Sequence, residues 1–240
     1  MFLGHFAVGF GAKAVAPRVS LGSLFLAAQF IDLLWPTLLL LGVEQVRITP
    51  EHPPGPPLEF VRYPISHSLL AVLGWSLLIG VSYFFLRRDR LGAWVMGLAV
   101  LSHWLLDLLV HYPDLPLHPG ASPLLGFALW SSPGVEMLLE GGLFALGLGL
   151  YLRVTRPRDR TGKWALAGLV ACLLVIQASN SLGAPPPSVT VLAWVGQAQW
   201  LLVAWGYWVD RHRTAAAERR PHLYRIPQQQ IGRASCRERV

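Results

Sequence analysis

The chain is 240 residues long, 53% hydrophobic and only 14% charged, with a mean hydropathy of +0.46. Soluble domains carry about 25% charged residues, so neither a soluble enzyme nor a disordered chain fits. The formal charge of +7 does not point to nucleic acid either, because 15 of the 20 Lys and Arg lie in short blocks flanking apolar runs.

Apolar runs bounded by charge or proline predict seven segments, at residues 2–16, 21–43, 64–86, 91–111, 133–152, 164–182 and 189–209. The first is shorter than the roughly 20 residues a bilayer requires. It also lacks the basic start of a signal peptide, so cleavage is not expected. The fold expected is therefore all-α: a polytopic transmembrane helix bundle of about six full spans plus a short N-terminal apolar helix. Residues 1–210 form its single domain, 211–230 a basic tail, and 231–240 (IGRASCRERV) a non-native or disordered extension. Two cysteines, Cys172 and Cys236, offer neither a disulfide framework nor metal-ligand spacing.

Orientation follows from Lys and Arg in short loops. Lys13 and Arg18, Arg87 to Arg90, Arg153 to Lys163 and the tail from Arg211 alternate with stretches holding only Arg47 and Arg62. The C-terminus is thus expected in the cytoplasm, as in a bacterial inner membrane. Two of the outward loops are Pro-rich, EHPPGPP at 51–57 and APPP at 184–187, and read as stiff connectors.

An ionisable group at bilayer depth costs from about 2.5 kcal/mol upward, so each needs a partner or a task. His5, Asp32, His67, His103, Asp107, His111, Glu136 and Glu140 all lie in or at the ends of apolar segments. Counting along alternating helices places all of them toward the outer half except Asp32, which falls near mid-membrane. His103 and Asp107 share a helix face at i, i+4, as do Glu136 and Glu140, whereas His111 is rotated toward the rim. Imidazole and carboxylate gathered from several helices suit a divalent metal, with Zn²⁺ the leading choice. The bland alternative is a network of hydrogen bonds between helices.

Four patches carry a resemblance: GHFAVG around His5, FIDLLWP around Asp32, SHSLLAV around His67, and GLAVLSHWLLDLLVHYPDLPLHP, which contains His103 and Asp107. In order and spacing they resemble the LexA-regulated, membrane-bound metal-dependent hydrolases, the YdjM-like family, from the start of the chain through Pro119. The resemblance implies an integral membrane protein with metal-dependent hydrolase activity. Leu34 and Trp35 stand where the family's patch has a second Asp and a His, and Ser66 stands for a Thr, so one metal ion is favoured over two.

The expected function is a membrane-embedded metal-dependent hydrolase. His5, Asp32, His67, His103 and Asp107 surround the ion, the site opens to the outer face, and Asp107 or Glu136 takes a proton from water. Five candidates exceed the usual three protein ligands, and Asp32, the deepest, is the first to be reassigned to an orienting role. The partners expected are membrane lipids, with a lipid or lipid-linked ester as substrate and no nucleic acid. The competing expectation is an ion- or proton-relay transport protein using the same polar groups. A haem held by His67 and His103 ranks below both.

Overall fold

The computed structural model describes residues 1–49 and 55–215. The tail beyond 215, the extension 231–240 and most of the 51–57 connector lie outside the described residues. The chain is predominantly helical: α1 (Leu3–Val15), α2 (Leu21–Ala28), α3 (Phe30–Leu40), α4 (Leu69–Arg87), α5 (Arg90–Val110), α6 (Pro133–Val154), α7 (Arg160–Leu182), α8 (Val189–Gln197) and α9 (Gln199–Arg211). Three antiparallel strand pairs join the helix ends: β1 (Gln45–Ile48) with β2 (Leu58–Arg62), β3 (Leu115–Pro116) with β4 (Leu124–Leu125), and β5 (Thr155–Pro157) with β6 (Arg213–Ala215).

Five helices are long and apolar enough to cross a membrane: α4, α5, α6, α7, and α8 with α9 taken together as Val189–Arg211. They become six if the bent α2–α3 pair is one span. With the short α1 alongside, this is the architecture the hydropathy predicts. The helices leave large apolar side chains exposed, among them Leu77, Phe85, Leu138, Val175 and Leu201. Contiguous apolar exposure of this kind is ruinous in water and expected against lipid.

Helix starts follow local chemistry. Ser20, Ser68, Asp89, Asp159 and Ser188 each accept an amide N–H of the first turn through the side chain. The expected single helix over 21–43 is where the structure differs most. It breaks at Gln29, bends by 56° and ends at Leu40. Gln29 itself sits at φ −100°, ψ 3°, outside the helical basin.

Two apolar clusters fill the interior. Phe6, Phe10, Phe25, Phe144 and Tyr151 anchor one, with Phe10 meeting the other three rings edge-on beyond Phe6. Val19, Ile31, Val72, Val100 and Trp104 belong to the second, between α2, α3, α4 and α5. α1 lies against α6 so closely that the Cα of Gly147 abuts the backbone of Ala7, and any larger residue there would collide with the Ala7 carbonyl. Basic residues gather at one end of the bundle, where Lys13 of α1 reaches Asp210 of α9 and β5 pairs with β6. The N-terminal ends of α1, α4 and α6 and the C-terminal end of α5 form the other.

Candidate metal centre

The two members of the His-x-x-x-Asp pair sit on the buried face of α5. His103 is fully buried and Asp107 is 2% exposed. α1 brings His5, the turn before α4 brings His67, and the first turn of α3 brings Asp32. All five predicted ligands therefore converge. They form two overlapping groups of potential metal-binding side chains, His5–His103–Asp107 and Asp32–His67–His103, with His103 common to both.

The hydrogen bonds of the two central imidazoles decide which way their lone pairs point. His103 Nδ1 lies 2.9 Å from the carbonyl oxygen of Ala28. A carbonyl only accepts, so Nδ1 carries the proton and Nε2 carries the lone pair in the neutral ring. Ala28 ends α2, and the bend at Gln29 turns its carbonyl toward α5.

For His67 the same outcome is reached through two intermediaries. Ser66 Oγ donates its single proton to Glu44 Oε2 at 2.6 Å, so at 2.7 Å it accepts from His67 Nδ1. Glu44, just before β1, is itself buried and fixed by the amides of Ile65 and Ser66, both 2.8 Å from Oε1. His67 Nε2 thus also presents a lone pair.

These lone pairs face oxygen atoms that are acceptors as well. His103 Nε2 is 3.2 Å from Asp107 Oδ2 and 3.5 Å from Asp32 Oδ1, and His67 Nε2 is 3.9 Å and 3.7 Å from the same two atoms. Nitrogen and oxygen lone pairs at such separations repel unless a cation lies between them. His103 Nε2 is accordingly a buried atom with no hydrogen-bond partner. In a tetrahedral zinc site with ligand bonds of about 2.0–2.1 Å, neighbouring ligand atoms stand about 3.4 Å apart. The four separations here bracket that value. Two carboxylates and two neutral imidazoles also leave a divalent ion with no net charge to bury. The residues fit a divalent metal ion.

His5 holds a different position. Its Nε2 is 3.1 Å from the other carboxylate oxygen, Asp107 Oδ1, which also accepts from the Met1 amino group at 2.8 Å. Its ring stacks on His103 with centroids 3.7 Å apart and planes 10° from parallel. His5 thus packs and orients the pair on α5. Asp32, expected to be the first reassigned to an orienting role, faces both imidazoles and is the most accessible of the five, with its side chain 25% exposed.

Glu136 stands outside both groups, half-buried in the first turn of α6. Its neighbour Glu140 is committed to α1, accepting the amides of Phe2 and Leu3 at 3.2 and 2.6 Å. His111, which follows the last residue of α5, is buried and stands outside both groups. Its Nδ1 is 2.9 Å from Asp114 Oδ1, which also accepts the Tyr63 hydroxyl. Trp130, Phe60 and Tyr63 pack around that imidazole, and Trp35 and Tyr63 pack on His67, giving the site an aromatic roof. Among the loop histidines, His118 is exposed with its ring Nδ1 3.2 Å from the Pro119 carbonyl, and His212 pairs with Asp159.

Sequence reasoning missed Glu44 and the Ala28 carbonyl. An acidic residue in a predicted outer loop carries no mark of burial, and a backbone carbonyl carries no sequence signal at all. Comparison with family models, curated proteins and solved structures finds no match to this chain. The likeness to the metal-dependent hydrolases rests on the four sequence patches alone.

Proposed function

We propose that this protein is a membrane-embedded metal-dependent hydrolase with a single divalent ion, zinc by ligand chemistry, held by His67, His103 and Asp107, with the fourth position left to water beside Asp32. The observation that carries this is that the Nε2 atoms of His67 and His103 each lie 3.2–3.9 Å from a carboxylate oxygen of Asp107 and of Asp32. A divalent ion bound there supplies Lewis acidity toward an ester oxygen and makes water nucleophilic near neutral pH.

The chain's own residues do the rest. Ala28 and the Glu44–Ser66 pair fix the two imidazole tautomers, as groups behind metal-binding histidines commonly do. His5 steadies Asp107 through Oδ1, leaving Oδ2 to face the ion. Both oxygens of Asp107 are then engaged, and Glu136 lies outside the group, so the proton-accepting role falls to Asp32 on the accessible side. The roof of Trp35, Phe60, Tyr63 and Trp130 excludes bulk water.

The site lies at the helix ends opposite the basic end, beside helix faces made to meet lipid. A lipid or lipid-linked ester is therefore the substrate class we assign. By the distribution of basic loops, the site faces the extracytoplasmic side.

The test is metal analysis of the purified protein and of His67→Ala and His103→Ala, followed by hydrolysis assays on phospholipids, lipid-linked phosphoesters and water-soluble esters. Loss of bound metal in both variants and turnover of a lipid ester are expected. Undiminished metal content in both variants removes the metal centre, and turnover of soluble esters alone removes the lipid assignment. Ion uptake by proteoliposomes that vanishes in Asp107→Ala would put a transport protein in its place.

A further inference from the structure

Besides His103 Nε2, three buried polar atoms in and beside the centre have no hydrogen-bond partner: His5 Nδ1 and both amide atoms of Gln29. The proposed ion accounts for the first and for none of the others. Native interiors pair the great majority of their buried polar atoms, so these three need a partner. His5 and Gln29 are both 0% exposed.

Helix register sets the two side chains opposite one another. The short connection from Val15 to Leu21 makes α1 and α2 antiparallel neighbours. Gly9 of α1 abuts Phe25 of α2, and a Cβ at Gly9 would stand 2.6 Å from the Phe25 ring. One turn toward the centre along each chain lies His5 on α1 and Gln29 at the end of α2. The bend does not disturb this phase, because the Gln29 amide donates to the Phe25 carbonyl and the Leu33 amide to the Gln29 carbonyl, both at 2.9 Å. Phe25, Gln29 and Leu33 therefore share a face, and Phe25 and Leu33 pack in one cluster with Leu3 and Phe6 of α1. A separate link agrees: His5 stacks on His103, whose Nδ1 is bonded to the carbonyl of Ala28, the residue before Gln29.

The two groups are also complementary in chemistry. Asp107 Oδ1 only accepts, so the neutral His5 ring carries its proton on Nε2 and a lone pair on Nδ1. Gln29 Nε2 carries two protons with no acceptor. No direct bond joins them, and a water that accepts from Gln29 Nε2 and donates to His5 Nδ1 satisfies both, as buried waters ordinarily do.

We propose that Gln29 is a positioning residue for the metal centre, holding one internal water that donates to His5 Nδ1 and so keeps the His5 proton on Nε2 against Asp107. Its effect on zinc rests on the metal-centre reading, whereas the water link does not. With Nε2 donating to Oδ1, Asp107 presents Oδ2 to the ion. Without the link the ring proton is free to move to Nδ1, and a lone pair on Nε2 would then face the carboxylate.

Two variants of the full chain test this: Gln29→Met, which keeps the length and removes the amide, and Gln29→Glu, which replaces the donor by an acceptor. The histidine-ring nitrogens are followed by nuclear magnetic resonance on metal-free protein, with His5 assigned by its loss in His5→Gln, and zinc affinity is measured against a chelator. The parent is expected to show His5 protonated on Nε2, with the Nδ1 resonance displaced by an accepted hydrogen bond. Gln29→Met should lose that displacement and hold zinc about tenfold more weakly, and Gln29→Glu should draw the proton to Nδ1. If the Glu variant fails to fold, the Met variant carries the comparison alone. Identical His5 resonances in the parent and Gln29→Met overturn the link, and unchanged zinc affinity in Gln29→Met overturns the positioning role. A parent chain that holds no zinc refutes the metal centre, and the metal-free resonances still decide the link.

Discussion

Glu44 Oε2 accepts the hydroxyl proton of Ser66 at 2.6 Å, and that one bond dictates which nitrogen of His67 is free. Glu44→Gln reverses it. The amide of the new side chain donates to Ser66 Oγ, the hydroxyl proton turns toward His67 Nδ1, and the ring proton moves to Nε2, where it blocks the lone pair. Metal affinity should fall about 10–100-fold with the fold intact, the usual penalty for losing a group behind a metal ligand. Titration with zinc or cobalt against a competing chelator measures it. Ser66→Thr, which keeps the hydroxyl, should retain affinity, and a Glu44→Gln protein that binds as tightly as the parent would show that this chain does not set the tautomer.

Asp107 and Asp32 differ in what surrounds them, and their amide variants should differ accordingly. Asp107 is 2% exposed and meets the Met1 amino group, His5, His67 and His103. Asp107→Asn is expected to abolish metal retention and to cost about 3–5 kcal/mol of stability, the scale for breaking a buried ionic group. Asp32→Asn should lose metal affinity while shifting stability by about 1 kcal/mol or less, since its side chain is partly exposed. Metal content and unfolding midpoints of the two variants give the comparison, and the opposite ranking would contradict the geometry.

Asp159 caps α7 through the Gly162 amide at 2.7 Å and pairs with His212 at 2.8 Å. The His212 hydrogen bond first, and the Gly162 amide second, hold its carboxyl below the usual value of 3.8. A depressed carboxyl stabilises the folded form above its ordinary value and loses that contribution as pH falls through the lowered one. Protection of the Gly162 amide from exchange, corrected for intrinsic rates, should hold from neutral pH down to about 4 and fall below it. Asp159→Asn should remove the step. A drop already complete between pH 7 and 5 would assign it to another group.

The contact of Gly147 with Ala7 leaves no room for a side chain, whereas a Cβ at Gly149 on the same helix meets nothing. Gly147→Leu should lower stability by about 1–3 kcal/mol, as overpacking does, and Gly149→Leu should be nearly silent. Thermal unfolding of both in the same detergent is the measurement. Equal effects would deny the close packing of α1 on α6.

The bundle and most of its site were readable because membranes make polarity conspicuous. His103 and Asp107 announced their shared face by i, i+4 spacing. His5 and His67 lay near the starts of helices running the same way, and that alone placed them level with the pair on α5. The sequence reading assumed a straight helix across 21–43, which the structure breaks at Gln29. Position 29 is a glutamine, neither proline nor glycine, so nothing local announces the bend that turns Asp32 toward the imidazoles. Glu44 escaped for the opposite reason: in a loop, an acid is ordinarily solvated, and only tertiary packing buries this one under Ser66.

The tie between Glu140 and the first amides of α1 carries a consequence for how the protein is made. α1 is synthesised before α5 and α6, yet the carboxylate that takes its first amides and the partner of His5 come from those two helices, more than 100 residues later. Until then it is a short segment with open amides and a solitary imidazole, poorly suited to stay in hydrocarbon by itself. α1 must therefore wait for α5 and α6 before it docks, and the same docking event completes the ring of side chains around the centre.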